Sequence, residues 1–87
     1  MEIEFTPKAL SQLDYWKQTG NEVILRKIRV LLESITQSPF SGIGKQEPLK
    51  HQLSGFWSRR INDEHRLVYE IKEGRIIVVQ CRFHYSK

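Results

Sequence analysis

The sequence predicts an α+β fold in which two helices are followed by a mostly antiparallel sheet on which they pack. Apolar residues recur at helical spacing between Pro7 and Ser38 and alternate with polar residues after Phe56. A stretch rich in glycine, proline, serine and lysine, residues 38–55, separates the two patterns. With 87 residues, the chain is expected to form one domain over residues 1–87, with a small core.

A short strand and a first helix are predicted at the start of the chain. Ile3 and Phe5 alternate with glutamates, which is typical of a strand. Thr6 is a favourable N-cap, and Pro7 suits the first helical position. The apolar residues at helical spacing are Ala9, Leu10, Leu13 and Trp16. Gly20 is expected to end this helix as its C′ residue.

A second helix should follow almost immediately, forming a tight helical hairpin. Asn21 is its expected N-cap, and Ser38-Pro39 its end. The apolar stripe consists of Ile24, Ile28, Leu31, Leu32 and Ile35. The loop over residues 38–55 is long, and loops of such length are often functional.

Three strands are predicted at residues 56–61, 65–71 and 75–83. The connections 62–64 and 72–74 both fit three-residue hairpin loops, with Gly74 at the left-handed position. Such loops place odd-numbered residues opposite odd-numbered residues, and even-numbered opposite even-numbered. Side chains alternate between the two faces of a sheet. All odd residues should therefore share one face and all even residues the other.

The two predicted faces differ in character. The odd face, expected to pack the helices, collects Trp57, Ile61, Leu67, Tyr69, Ile71, Ile77, Val79, Cys81 and Phe83. The even face collects Arg60, Arg66, Gln80, Arg82 and His84, with Phe56, Val68, Ile76 and Val78. Arg60 and Arg66 should lie directly opposite each other, which suits a phosphate held between two guanidinium groups. The alternative is a solvated sheet face with Glu64 or Glu70 as counter-ions.

Charge and cysteine content limit the classes of partner and compartment. The formal net charge of +4 and pI near 9.5 favour an anionic partner such as nucleic acid, although solubility alone is an alternative explanation. Cys81 is the sole cysteine, cannot form an internal disulfide and is expected to be a small buried hydrophobe. The start of the chain has no signal-peptide pattern, and no stretch approaches the roughly 18 apolar residues of a membrane helix. We therefore expect a cytoplasmic protein with no membrane partner.

The polar residues include a candidate for each role in the cleavage of RNA. The ribose 2′-OH can attack the neighbouring phosphorus if a base, an acid and positive charge are supplied, without a metal. Glu47 is the candidate base, and His84 the candidate acid because an unperturbed histidine titrates near pH 6.5. The other candidates are Arg60, Arg66 and Lys50 for positive charge, Arg82 for substrate binding, and Tyr85 for stacking or a phosphate contact.

Simpler interpretations exist for each candidate taken singly. Glu47 could be an ordinary solvated loop residue, and His84 an idle exposed histidine. The remaining histidines, His51 and His65, lack metal-ligand spacing with each other or with Cys81. We therefore predict neither a metal site nor a cofactor.

Three segments carry a family resemblance. They are EPLKHQLSGFWSRRI at 47–61, HRLVY at 65–69 and CRFHY at 81–85. Together they resemble the signature of the YoeB-type toxins among the RelE-like messenger-RNA interferases, and the resemblance extends over nearly the whole chain. It implies the RelE-like, or microbial ribonuclease-like, fold: a twisted, mostly antiparallel sheet with two helices on one face.

The resemblance also implies an activity and its residues. The activity is ribosome-dependent endoribonuclease cleavage of messenger RNA in the A site by a toxin of a type II toxin–antitoxin pair. By position, Glu47 resembles the general base, His84 the general acid and Arg66 the main stabiliser of the transition state. The supporting residues are Arg60 and Lys50, with Tyr85 orienting the substrate.

Partners follow from the same resemblance. They are an antitoxin of the YefM kind, the ribosome and its messenger RNA, a second copy of the chain in a homodimer, and operator DNA only through the antitoxin complex.

Two other functions are alternatives to the nuclease. A non-catalytic toxin of the same fold would bind a protein target such as gyrase and would need no acid–base pair. A simple RNA-binding module would need exposed aromatic platforms for stacking, whereas Trp57 and Tyr69 fall on the predicted core face. The combination of Glu47, Arg66 and His84 favours the nuclease.

Overall fold

The computed structural model describes residues 1–84 and contains two helices and a five-stranded sheet. The elements are β1 (Glu2–Phe5), α1 (Pro7–Gln18), α2 (Glu22–Gln37), β2 (Glu47–Pro48), a short 3-10 helix (His51–Leu53), β3 (Trp57–Arg60), β4 (Arg66–Lys72) and β5 (Arg75–Gln80). The strand order is β1-β5-β4-β3-β2, with β1 parallel to β5 and the other pairs antiparallel. The predicted α+β architecture is confirmed, and β2 is an additional strand within the expected loop.

Both helices begin at the predicted caps. The Thr6 hydroxyl accepts a hydrogen bond from the backbone N–H of Ala9 at 3.3 Å. The Asn21 side chain accepts one from the N–H of Ile24 at 3.1 Å. Gly20, just beyond α1, has a φ of +67°, as expected for a residue that ends a helix in the left-handed region.

The core lies between the helices and one face of the sheet. From α2 it receives the predicted stripe, with Ile24, Ile28, Leu31 and Ile35 buried and Leu32 packed at its margin. From α1 it receives Ala9 and Trp16. Leu10 was expected in the stripe but is 48% exposed, because Ala9, Gln12 and Trp16 define the buried face. Within residues 1–84, no helix has the length and apolar character needed to cross a membrane.

The hairpin between β3 and β4 has the predicted register. Trp57 lies opposite Tyr69, and Arg60 opposite Arg66. The backbone N–H of Ile61 bonds to the carbonyl of His65 at 2.9 Å, which closes the three-residue loop. Trp57, Leu67 and Tyr69 face the helices, so Arg60 and Arg66 lie on the opposite face.

The hairpin between β4 and β5 differs from the prediction. Lys72 pairs with Arg75, so the turn contains only Glu73 and Gly74, with φ of 53° and 73°. Two consecutive residues with positive φ form the tight turn that best matches strand twist. The two-residue turn places even-numbered residues of β5 opposite odd-numbered residues of β4. Ile76 and Val78 therefore enter the core in place of the expected Ile77 and Val79.

A register shift between β4 and β5 then restores the predicted facing of the residues that follow it in β5. Tyr69 pairs with Val78 but Val68 pairs with Gln80, so Val79 is an extra residue on β5. As a result Gln80 shares the face of Val68, as predicted, and Cys81 is fully buried in the core. The strand ends at Gln80, not at the expected Phe83, and Phe83 is exposed rather than in the core.

A fully buried guanidinium organises the loop before β2. Arg59 donates from Nε to the Tyr69 hydroxyl at 3.1 Å and from Nη1 to the Ser34 hydroxyl at 2.8 Å. Its remaining bonds go to the carbonyls of Ile43 at 3.1 Å, Ser38 at 2.7 Å and Ser41 at 2.6 Å. Oxygen acceptors therefore compensate the desolvation of the charge, and the loop that leads to Glu47 is held against α2 and the sheet.

Candidate active site

One row of paired residues crosses the sheet from β2 to β5. Glu47 lies opposite Ser58, Ser58 opposite Val68, and Val68 opposite Gln80. Paired residues project from the same face, which here is the face turned away from the helices. The two-residue strand β2 thus delivers the predicted base to the face that carries Arg60 and Arg66.

Arg66, Ser58 and Glu47 make direct contact. Arg66 Nη2 donates to the Ser58 hydroxyl at 2.7 Å and to Glu47 Oε1 at 3.3 Å. The Ser58 Oγ and Glu47 Oε1 atoms are 3.5 Å apart. The Arg66 side chain is 8% exposed and that of Glu47 is 47% exposed. A buried hydroxyl therefore holds the Arg66 guanidinium, while the Glu47 carboxylate is half exposed.

Two further cations were predicted near this contact. Arg60 is half-buried and lies opposite Arg66, on the same face. Its backbone N–H bonds to the carbonyl of Gly44 at 2.7 Å, which ties β3 to the loop before β2. Lys50 is exposed at the start of the 3-10 helix, three positions beyond Glu47. Arg60 thus shares the face of the contact, and Lys50 lies close to Glu47 along the chain.

The segment after β5 leads back to Arg66. The carbonyl of Phe83 accepts hydrogen bonds from the backbone N–H of Arg66 at 3.0 Å and from Gln80 Nε2 at 3.1 Å. His84 follows immediately and is exposed. His84, the predicted acid, is therefore the residue that follows the backbone contact of Phe83 with Arg66, the first residue of β4. The other predicted residue of this segment, Tyr85, lies outside the described residues.

Arg82 does not lie on the sheet face predicted for it. Its guanidinium carbon lies 3.5 Å from the centroid of the Tyr15 ring on α1 and 4.4 Å from that of Phe83. This is a cation–π contact on the helical side of the molecule, so the expected position beside Arg60 and Arg66 is wrong. The strand ends at Gln80, and the alternation used to place Arg82 no longer applies beyond it.

Two contributors were not singled out in the sequence. One is Ser58, which is fully buried. Its even number placed it on the predicted face of Arg60 and Arg66, and this was the signal by which the sequence could have identified it. The other is His65, whose Nδ1 accepts a hydrogen bond from the Phe83 N–H at 2.8 Å. This contact between the residue before β4 and the segment after β5 had no signal in local sequence.

The remaining ionisable groups of note are structural. Burial raises the pKa of the Cys81 thiol to about 12, so this thiol is not a nucleophile at neutral pH, in keeping with the buried hydrophobe that was predicted. Burial also raises the pKa of Tyr69, against the lowering effect of its hydrogen bond from Arg59. Among residues 1–84, no three His, Cys, Asp or Glu side chains are grouped as a set of metal ligands.

Known proteins resemble this chain over its length. A family model described as the YoeB-like toxin of bacterial type II toxin–antitoxin systems matches residues 5–85. The toxin YoeB of Synechocystis sp. is 51% identical over 88 residues, covering 100% of both chains. The YoeB/ParE toxin from Agrobacterium tumefaciens superposes with a TM-score of 0.94 at 40% identity, covering 98% of this chain and 100% of that one.

A third relative has been solved in two assemblies. Staphylococcus aureus YoeB, in a YoeB–YefM complex and as a dimer, superposes with a TM-score of 0.89 at 43% and 42% identity, covering 98% of each chain. These matches confirm the family resemblance and the predicted fold. Because the family model spans nearly the whole sequence and these relatives share 40% identity or more, the chain belongs to the YoeB-like toxins of bacterial type II toxin–antitoxin systems.

Proposed function

We propose that this toxin is an endoribonuclease that cleaves messenger RNA in the ribosomal A site without a metal ion. The observation that carries the proposal is the contact of one guanidinium, Arg66, with both Glu47 and Ser58 on the sheet face turned away from the helices, where the Glu47 side chain is half exposed. A carboxylate beside a fixed cation is suited to a phosphodiester, because the cation holds the phosphate while the carboxylate accepts a proton.

The proposed reaction is an intramolecular transfer within the RNA. Glu47 removes the proton of the ribose 2′-OH, and the 2′-oxygen bonds to the adjacent phosphorus. The bond from phosphorus to the 5′-oxygen breaks as His84 donates a proton to that oxygen. The products are a 2′,3′-cyclic phosphate and a 5′-hydroxyl. Arg66 stabilises the extra negative charge that develops on the phosphoryl oxygens.

The other residues have supporting roles in this proposal. Arg60, opposite Arg66, and Lys50, beyond Glu47, hold neighbouring phosphates, and Tyr85 orients the substrate. Arg82 is assigned no substrate contact because its guanidinium stacks on Tyr15.

We further propose the partners and the compartment of this toxin. The S. aureus YoeB occurs in a complex with YefM and as a dimer, and we propose a YefM-like antitoxin and a homodimer for this chain. The ribosome and messenger RNA are the substrate assembly, in the cytoplasm, and operator DNA is reached only through the antitoxin complex. A net charge of +4 is consistent with RNA as the substrate.

Primer extension on translating ribosomes tests the proposal. We expect Glu47→Gln and His84→Gln each to lower the rate of cleavage by about 10²- to 10⁴-fold, the usual contribution of one acid or base. Arg66→Ala should be equally defective, because it removes the charge that faces the phosphate.

A matched arginine control is available at the start of β5, the strand next to the edge strand β1. Arg75 pairs with Glu4 far from the site, and Arg75→Ala should leave cleavage unchanged. Thermal unfolding of every variant shows whether the fold is retained. Wild-type rates in both Glu47→Gln and His84→Gln would exclude the acid–base roles. Gyrase inhibition without any RNA scission would favour a protein-binding toxin.

A further inference from the structure

The chain after β5 has left the sheet, yet its backbone is held at several points. The Cys81 N–H donates to Gln12 Oε1 at 2.8 Å, and Trp16 Nε1 donates to the Cys81 carbonyl at 2.9 Å. The Phe83 carbonyl accepts from the Arg66 N–H at 3.0 Å. These bonds attach residues 81–83 to α1 and β4, and they fix the path of the chain up to the residue before His84.

One further hydrogen bond in this segment involves the side chain of His65, the residue directly before β4. The backbone N–H of Phe83 donates to His65 Nδ1 at 2.8 Å. Phe83 has a φ of +68°, a left-handed conformation that residues with a Cβ seldom adopt. The two backbone polar groups of Phe83 are thus bonded to two successive residues, the N–H to the His65 ring and the carbonyl to the Arg66 N–H. Together they hold an unusual backbone conformation one residue before His84.

The His65 ring is itself well positioned. It meets the Trp16 ring edge-on, with centroids 4.8 Å apart and an interplanar angle of 78°. Its backbone N–H donates to the Asn62 side chain at 2.8 Å, and its carbonyl accepts from Ile61 at 2.9 Å. A backbone N–H can only donate, so His65 Nδ1 is the acceptor in this bond.

We propose that His65 is a positioning residue for His84: its Nδ1 holds the Phe83 backbone in the left-handed conformation and so sets where the next residue, His84, lies relative to Glu47 and Arg66. The effect expected on RNA cleavage rests on the proposed nuclease function, whereas the hydrogen bond from Phe83 to His65 does not. His65 does not touch substrate, and its effect on cleavage passes through the Phe83 N–H.

Two substitutions separate the hydrogen bond from ring packing. His65→Phe keeps an aromatic ring against Trp16 but has no acceptor. His65→Asn loses the ring but keeps an oxygen, the same number of bonds from the backbone as Nδ1, that can accept from Phe83. A merely structural role predicts that phenylalanine is the better replacement, whereas a positioning role predicts asparagine.

The kinetic test is single-turnover cleavage of messenger RNA on ribosomes. We expect His65→Phe to slow the step at saturating ribosome concentration by about 10- to 100-fold, in line with the cost of displacing a catalytic group by about 1 Å. The ribosome concentration giving half-maximal rate should stay within about threefold, because no substrate contact is lost. His65→Asn should retain a rate within about threefold of the wild-type protein. His65→Ala replaces the phenylalanine variant if the latter does not fold.

Amide exchange measured by NMR tests the bond without reference to activity. The Phe83 amide should exchange faster in His65→Phe than in the wild type, and His65→Asn should restore its protection. Unchanged Phe83 exchange, wild-type cleavage by His65→Phe, or equal slowing in the phenylalanine and asparagine variants would overturn the inference. If the wild type cuts no ribosome-bound message, the proposed function fails, and the exchange comparison still decides whether His65 holds Phe83.

Discussion

Ser58 illustrates how a single buried hydroxyl orders the charged groups of the site. It is fully buried and lies opposite Glu47 in the pairing of β2 with β3. Its hydroxyl accepts a hydrogen bond from Arg66 Nη2 at 2.7 Å, which is shorter than the 3.3 Å bond from the same atom to Glu47. A guanidinium can rotate about several bonds, so one fixed acceptor restricts its orientation. Ser58 therefore restricts the direction in which Arg66 presents its charge.

Replacing Ser58 tests this role. Ser58→Ala removes a hydrogen bond to a charged group, worth about 1.5–3 kcal/mol, and the rate of RNA cleavage should fall by about 10- to 100-fold. Ser54→Ala, at an exposed serine beside the 3-10 helix, is the control and should cleave normally. An undiminished rate in Ser58→Ala would show that Ser58 does not orient Arg66.

At the scale of elements, the loop between α2 and β2 depends on close approach of its backbone to the core. Gly44 has a φ of +89°, and a Cβ placed there would lie 2.7 Å from Leu31 Cδ2 and 3.1 Å from Arg59 Cβ. Its carbonyl also accepts the 2.7 Å bond from the Arg60 N–H. The path that brings Glu47 to the sheet edge therefore needs both the left-handed conformation and the missing side chain.

A pair of glycines separates these two requirements. Gly55 has a similar φ of +95° but nothing within 4 Å of a Cβ. Gly55→Ala should lower the free energy of unfolding by about 1 kcal/mol through backbone strain alone. Gly44→Ala should lower it by a further ~1–3 kcal/mol because the methyl group overpacks the core. Urea denaturation measures both, and equal losses would contradict the packing argument.

The turn and the irregularity in the β4–β5 hairpin have opposite effects on side-chain direction. The two-residue turn brings Ile76 and Val78 into the core, and the extra residue at Val79 restores the alternation for Gln80 and Cys81. The prediction for Gln80 and Cys81 was therefore correct even though the turn assigned to them was wrong. Bulges are frequent beside functional sites, where they redirect a side chain, and this one precedes the segment that bears His84.

For the whole molecule, the buried Cys81 thiol links stability to alkaline pH. Its folded pKa of about 12 exceeds the ordinary value of 9.0 because burial disfavours the thiolate. Between these values the unfolded chain releases the thiol proton and the folded chain does not. Its contribution to stability is therefore complete below about pH 9 and is lost as pH rises towards 12.

Chemical denaturation across this pH range tests the linkage. The free energy of unfolding of the wild type should fall faster than that of Cys81→Ala, by up to about 1.4 kcal/mol per pH unit. Tyrosines and lysines titrate in both proteins, so the difference isolates the thiol. Parallel pH profiles for the two proteins would show that the thiol is accessible to water in the folded state.

The sequence by itself determined the features encoded within a few residues of one another. Helix caps at Thr6 and Asn21, the stripe of α2, and the opposition of Arg60 and Arg66 all follow from local spacing and a short loop. These signals suffice because capping, periodicity and hairpin register depend on adjacent turns and strands. The candidate acid, base and cations were named from the same local patterns and the family resemblance.

Only the tertiary structure decided how distant segments meet. Glu47 contacts Arg66 across 19 positions of sequence, Trp16 bonds to Cys81 across 65, and His65 bonds to Phe83 across 18. The turn and the extra residue in the β4–β5 hairpin, and the stacking of Arg82 on Tyr15, likewise depend on which surfaces pack together. Such contacts are determined by burial and hydrogen-bond satisfaction over the whole chain, and no short stretch of sequence specifies them.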